Sequence, residues 1–398
     1  MASAATTSTT MGCYLHGPRN LRIEERPVNS LGELDVQVQL RSVTLCGSDV
    51  HYHRHYRNGS IQVREPLCLG HEAAGIVTAV GSSVRSDLKV GDAVALECGI
   101  PCGACDLCHN GRYNVCPQLR FRSSGSKFPH FQGTLQQSVI HPAHWVHKLD
   151  LELSCDVGAL LEPLAVTVQA ERRSRAFKGS ILSGARDTNL IFGAGAIGLL
   201  YSLAAQAEGS RDIVMVDIDA GRLDFALKNG YASAIYQVPI TKANSVEEKK
   251  EQAKETAKHI SELIWPDGES VGSVQRTIEC TGVESCLLSS IYATRNGGTV
   301  VLVGMGQPDH ILPISDISSR EINLIPTWRY ANCYPKAIEI AKASVTGTPL
   351  KGVRLPNIEK LITHTYDGLA QIEQAFEYAG RTRDDAGKLI LKVAVHPQ

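Results

Sequence analysis

The chain has 398 residues, of which 43% are hydrophobic and 20% charged, with 40 Lys+Arg against 41 Asp+Glu. That composition excludes a disordered or collagen-like chain, and the length suggests two or three domains. A formal net charge of −1 offers no global field for nucleic acid or an anionic membrane, so neither is expected as a partner.

Met1–Thr10 are small and polar, without the apolar core of a signal peptide, and a cytoplasmic location is expected. Up to about Leu160 the pattern is mostly β. Leu34–Leu40 alternates strictly between apolar and polar residues, and Ala73–Val80 and Ala93–Leu96 also read as strands. Beyond Leu161 the pattern changes. A helix is predicted over Ala165–Phe177. Strand Asn189–Phe192, helix Ala196–Glu208, strand Asp212–Val216 and helix Gly221–Asn229 follow. Val246–Leu263 reads as a solvated, charge-dense helix. Thr277–Cys280, Thr299–Val303 and Ile322–Ile325 supply further strands. A helix near Pro335–Ser344 and a strand Leu389–Val395 complete the series. Alternating strands and helices imply a parallel sheet with crossover helices.

Leu190–Ala207 is the longest apolar stretch, but Gly193, Gly195 and Gly198 interrupt it, so it reads as strand–turn–helix rather than a membrane span. The three glycines have the GxGxxG form of a dinucleotide site. The first permits a tight turn, the second lets backbone approach a pyrophosphate, and the third allows close helix–strand packing. Asp217 lies 19 residues after Gly198, where a carboxylate accepts hydrogen bonds from ribose hydroxyls and repels a 2′-phosphate. NAD is therefore expected over NADP, although Arg222 nearby tempers the preference.

The 12 cysteines are unevenly placed. Cys102, Cys105, Cys108 and Cys116 fall within 15 residues, a spacing that wraps one tetrahedral zinc with no open position and hence a structural one. The surroundings are not basic enough for a DNA-binding zinc ribbon. Cys98, just upstream, is not expected to be a ligand. A second group, Cys46, His71 and Glu72, offers donor types that can hold zinc while leaving a position open.

With these residues in view, the sequence resembles the zinc-dependent medium-chain alcohol dehydrogenases. The His71-Glu72 signature, Cys46-x-Ser48, the four-Cys lobe and the Gly193 fingerprint occur in the family's order from about Gly12 to Val395. It is most similar to the polyol branch of sorbitol, xylitol and L-arabinitol dehydrogenases. The markers are Cys46–Tyr52, Leu161-Glu162-Pro163-Leu164, Asp217 with Arg222, Glu279-Cys-Thr-Gly-Val-Glu284 and Arg329-Tyr330-x-Asn332. The resemblance implies an α/β chain in two parts. A mostly-β GroES-like catalytic domain is formed by 1–168 and 329–398, with the zinc lobe at about 98–116. A doubly wound Rossmann NAD-binding domain spans 169–328, and the active site lies in the cleft.

The resemblance also implies two zinc ions per chain, with Cys46, His71 and Glu72 as catalytic ligands. Glu162 stands where simple alcohol dehydrogenases have a third zinc-binding Cys, and reaches the metal directly or through water. Tyr52, Phe121, Arg329 and Tyr330 match substrate-contacting positions; Arg and Tyr suit the non-reacting hydroxyls of a polyol. Ile197, Val303 and Arg329 join the cofactor contacts. Ser48 takes the hydroxyl proton and passes it through the nicotinamide ribose to His51 and solvent. A homotetramer or dimer, formed partly through Val300–Ile314, is implied as well.

Three functions follow for testing. They are an NAD-dependent polyol dehydrogenase interconverting a polyol and its ketose, a zinc dehydrogenase of the same fold for another secondary alcohol or a threonine-like substrate, and a non-catalytic zinc-stabilised NAD-binding protein. One departure from the family is an apparent insertion at Ile181–Thr188, where Gly184 and Asp187 suit a surface loop.

Overall fold

The computed structural model describes residues 9–175 and 186–398. The chain divides into two compact units: residues through Pro163 with Tyr334–Val345 and Ile358–Gln398, and Leu164–Cys333 with Thr346–Asn357. Arg329 and Tyr330 belong to the second unit. The residues 181–185 of the apparent insertion lie outside the described residues.

The first unit is built on a mainly antiparallel seven-stranded sheet. Its order is Val146–Lys148, Ala93–Leu96, Glu72–Val80, Asp35–Thr44, Lys392–His396 and Ile362–Asp367, with Ser138–Pro142 paired to Asp35–Thr44. The alternation in Asp35–Thr44 has the expected effect: Val36, Val38 and Leu40 are fully buried, while Asp35, Gln37 and Gln39 are half-buried and Arg41 is exposed. Register places Thr44 opposite Glu72 on one side and Ala394 on the other. Residues from three distant stretches therefore meet at one end of the sheet. Gly75 has no room for a side chain, because a Cβ there would lie 2.1 Å from the Gln39 carbonyl oxygen.

The second unit holds a six-stranded parallel sheet. Its order is Ala234–Gln237, Asp212–Asp217, Thr188–Phe192, Val274–Glu279, Thr294–Leu302 and Asn323–Pro326. This is the doubly wound order that reverses between Thr188–Phe192 and Val274–Glu279. Thr188–Phe192 is buried at every position, as a central parallel strand covered on both faces must be. Leu190, Phe192, Val214, Val216 and Trp265 pack in its core. The charged helix Val246–Ser261 starts at Ser245, whose side chain accepts the Glu248 N–H, and buries only the stripe Ala253, Ala257 and Ile260.

The largest difference from expectation is helix Cys155–Ser174, which begins ten residues before Ala165 and carries Pro163 inside it. Asp187 is also more than a loop residue. Arg276, fully buried, donates to Asp187 at 2.5 Å and to Asn189 at 3.1 Å, and Arg175 reaches Asp187 at 3.2 Å. The ion pairs lie at the N-terminal edge of the sheet, just before Thr188. Among the described residues, no helix is long and apolar enough to cross a membrane.

Candidate active site and cofactor crevice

Cys46 caps the helix Gly47–His55, His71 follows the left-handed Gly70, and Glu72 opens strand Glu72–Val80. One donor atom from each lies within 4.8 Å of the others. Asp49 supports this set. Its carboxylate is completely buried, accepting the Cys46 N–H at 3.1 Å, the Gly70 N–H at 3.0 Å and the Ser123 hydroxyl at 2.8 Å. The same carboxylate lies 3.5 Å from His71 Nδ1. With Nδ1 facing Asp49, Nε2 is the nitrogen left for a metal, the usual arrangement of a carboxylate–histidine–metal unit. Burial disfavours a charged His71, but Asp49 outweighs it and raises the imidazole pKa well above its ordinary value. A metal ion would take the place of that proton.

Glu72 is buried too. It accepts from Thr44 Oγ1 and from Lys392 Nζ, the latter at 2.7 Å to Oε1. A carboxylate has about four lone-pair sites, so both donors leave room for a metal bond. A thiolate, an imidazole and a carboxylate, with no fourth protein donor in the group among the described residues, fit a zinc site that keeps a position open. Glu162 is buried on helix Cys155–Ser174 and stands outside that group, close enough to Lys392 to contribute to its electrostatics. Phe121 packs edge-on against His71, ring centres 5.4 Å apart. Tyr52 is buried, and its hydroxyl accepts the Gly125 N–H at 3.2 Å. Ser48 is half-buried one turn before His51, which is exposed. Partial desolvation, with the charges of His55 and Arg54, lowers the His51 pKa. Asp49 lies within the Cys46–Tyr52 motif, where its position alone signals no role, and no local sequence signal marks Thr44, Ser123 or Lys392.

The four-Cys lobe brings all its thiols together. Sulfur separations are 3.4 Å for Cys105–Cys108, 3.6 Å for Cys102–Cys116, and 3.9 Å for both Cys102–Cys108 and Cys105–Cys116. A tetrahedral zinc with bonds of about 2.3 Å requires sulfur edges of about 3.8 Å, so this lobe fits one ion. The N–H groups of Ala104 and Cys105 pull the Cys102 thiol down, while burial and the neighbouring sulfurs push Cys108 up, so the four thiols share their protons unevenly until a metal displaces them.

In the second unit, Gly193 has φ +100°, and a Cβ on Gly198 would lie 1.8 Å from the Gly193 carbonyl oxygen. Helix Ala196–Ala207 starts there, with Ile197 half-buried in its first turn. Asp217 braces this turn: one oxygen accepts the Ala194 N–H at 2.7 Å and the other the Asp219 N–H at 2.9 Å. Arg222 Nη1 lies 3.8 Å from where a Cβ on Gly195 would sit, and its Nε is buried without a partner. A bare backbone cradle beside an acidic strand end and a basic side chain fits a dinucleotide. Val303 follows strand Thr294–Leu302. Arg329 has φ +46°, with its guanidinium 4.9 Å from the Trp328 ring centre, and Tyr330 beside it is buried.

A doubly wound cofactor unit and a metal unit with an open coordination position define a zinc-dependent dehydrogenase. Two family profiles agree. The alcohol dehydrogenase GroES-like domain matches residues 32–151, and the zinc-binding dehydrogenase domain matches 196–343. Sorbitol dehydrogenase of Bos taurus is 38% identical over 360 residues, covering 90% of this chain and 93% of the bovine one. L-arabinitol 4-dehydrogenase of Penicillium rubens is 37% identical, covering 98% and 95%. Among solved structures, 2R,3R-butanediol dehydrogenase from Bacillus subtilis superposes with a TM-score of 0.75 at 25% identity, covering 98% of this chain and all of that one. The chain belongs to the zinc-dependent medium-chain alcohol dehydrogenase family, and its relatives include proteins named as sorbitol, L-arabinitol and L-idonate dehydrogenases.

Proposed function

We propose that this chain is an NAD-dependent polyol dehydrogenase, oxidising one secondary hydroxyl of a sorbitol-, xylitol- or L-arabinitol-like substrate to a ketone and running the reverse reduction. The observation that carries the reading is the convergence of Cys46, His71 and Glu72, supported by Asp49, in a chain with a complete dinucleotide turn. Cys46, His71 and Glu72 would hold a zinc ion that would supply Lewis acidity to a substrate hydroxyl, and the glycine-rich turn would hold NAD, which would supply the hydride acceptor. A second zinc in the four-Cys lobe is structural in this reading.

The chain's own groups do the rest. Ser48 accepts the hydroxyl proton while giving up its own, and His51, one helical turn on, is the group that releases a proton to solvent. Its lowered pKa keeps the imidazole neutral and ready to accept. Tyr52 already accepts a backbone N–H, so its own O–H is left to donate to a substrate oxygen. Arg329, Tyr330 and Glu162 hydrogen-bond hydroxyls that do not react, and Phe121 supplies an apolar wall. Gly193, Gly195, Ile197, Gly198, Asp217, Arg222, Val303 and Arg329 hold the cofactor. A catalytic domain over 1–168 and 329–398 with a cofactor domain over 169–328 belongs to the same reading, as does a cytoplasmic homodimer or homotetramer. Ile311 and Ile314, exposed at the end of the expected contact segment, support that assembly.

The test is a steady-state assay of reduced-cofactor absorbance with NAD and then NADP, offering sorbitol, xylitol, L-arabinitol, galactitol and 2-propanol. NAD-dependent turnover of a polyol, abolished by a chelator and restored by zinc, is the expected result. Turnover of 2-propanol alone would overturn the polyol roles of Arg329, Tyr330 and Glu162.

A further inference from the structure

The motif Glu279-Cys-Thr-Gly-Val-Glu284 has no task in the mechanism above, yet its first residue sits at the reversal of the parallel sheet. Phe192 and Glu279 are the last register pair between the two central strands. Ligands of open parallel sheets bind outside the strands' carboxyl ends at such a reversal. Asp217 ends the neighbouring strand on one side of Thr188–Phe192, where the adenosine ribose is expected. The nicotinamide half of a dinucleotide must then extend the other way, over the ends of Val274–Glu279 and Thr294–Leu302.

Glu279 is 3% exposed. Its carboxylate accepts the Thr281 N–H at 2.7 Å, the Gly282 N–H at 2.9 and 3.0 Å to its two oxygens, and the Thr281 hydroxyl. Its carbonyl accepts the N–H groups of Val303 at 2.9 Å and Gly304 at 2.8 Å. One residue thus fastens two loops, 280–283 and 303–306, that follow adjacent strands. The loops touch so closely that a Cβ on Gly304 would lie 2.1 Å from Gly282 N and 2.7 Å from Glu279 Oε2. Thr281 carries the arrangement to the glycine-rich turn, its Cγ2 being 3.1 Å from where a Cβ on Gly193 would sit. The carboxylate is spent on its own loops, so its task is to shape the crevice wall.

We propose that Glu279 is a positioning residue that holds the wall against which the nicotinamide half of the cofactor binds. The inference rests on the NAD reading. Glutamine at this position keeps the size but replaces one acceptor with an NH₂ donor. With the amide oxygen kept at Oε1, the NH₂ takes the place of Oε2 and meets the Gly282 N–H, so one charge-assisted bond to the loop becomes a donor–donor contact and the others lose their charge.

The experiment uses full-length, zinc-loaded Glu279→Gln and titrates NADH by fluorescence and ADP-ribose, which lacks nicotinamide, by calorimetry. The Kd for NADH is expected to rise about tenfold, the scale of one lost charge-assisted hydrogen bond. The Kd for ADP-ribose is expected to stay within about twofold. Should Glu279→Gln fail to fold, Gly304→Ala crowds the same wall from the other loop and is read by the same two constants. Unchanged NADH binding overturns the proposal. Equal weakening of both ligands overturns it in favour of general damage to the sheet. Wild-type protein that binds neither ligand overturns the cofactor reading itself, and this inference with it.

Discussion

Lys392 Nζ lies 2.7 Å from Oε1 of Glu72, a residue 320 positions earlier, and both side chains are buried. Lys392 also donates to the Leu45 carbonyl at 3.0 Å, beside Cys46. Burial alone would discharge the amine, but the Glu72 carboxylate more than compensates and raises its pKa. The cation therefore stands beside the proposed metal ligands without competing for the metal.

Lys392→Met removes that cation and leaves Glu72 buried and unpaired. The metal-free protein should lose about 3–5 kcal/mol of unfolding free energy. Added zinc should recover part of the loss, because a cation on Glu72 substitutes for the missing one. Denaturant unfolding with and without zinc checks this. Equal stability of variant and wild type would mean that water already reaches the pair.

Asp49→Asn keeps the side-chain shape but removes the charge facing His71 Nδ1. Zinc affinity at the Cys46–His71–Glu72 site should fall about 10–100-fold, the usual cost of losing a group that orients a histidine ligand. Competition with a chromogenic chelator measures this directly, and the four-Cys lobe serves as the unchanged internal reference.

Cys105→Ser opens the sulfur tetrahedron at one corner. Bound zinc should fall from two ions per chain to one, with a lower unfolding temperature, because a structural site contributes its binding energy to folding. Elemental analysis after dialysis gives the count. Retention of both ions would remove the structural assignment.

His396 sits between two carboxylates, with Nδ1 2.7 Å from Asp367 and Nε2 2.9 Å from Asp156. Burial lowers its pKa, but the two carboxylates prevail and the net shift is upward. A raised folded-state pKa gives stability that is full below the unfolded value of about 6.5 and is lost as pH rises through the folded value. For so exposed a set of pairs the gain is about 0.5–1 kcal/mol. His396→Gln should flatten that part of the stability–pH curve and leave the alkaline end unchanged.

Much of this architecture is written locally. The alternation of Asp35–Thr44, the strand–turn–helix around Gly193 and the clustered cysteines each depend on neighbours within a few residues, so sequence order exposes them. Helix Cys155–Ser174 was harder. Gly158 and Pro163 have poor intrinsic helix propensity, yet the helix runs through both. Ala159, Leu160, Leu161, Leu164 and Ala165 are all fully buried there. A Cβ on Gly158 would lie 2.7 Å from that of Ala74, a closeness of packing that outweighs local propensity. The supports of the metal group were the least legible. Asp49 lies inside a quoted motif, but its partners Gly70 and Ser123 are far along the chain. Lys392 meets Glu72 only because strand Lys392–His396 joins the sheet beside Asp35–Thr44.

That late strand also sets an order of events during synthesis. Leu164–Cys333 is one continuous stretch that carries the whole parallel sheet, so it can close soon after it leaves the ribosome. The unit holding Cys46, His71 and Glu72 must wait. Its sheet stays incomplete on one side of Asp35–Thr44, and Glu72 lacks its counter-charge, until Lys392–His396 has been made. The unit that holds the metal ligands is therefore completed after the parallel sheet it encloses in sequence, with an open strand edge exposed to wrong pairing in the interval.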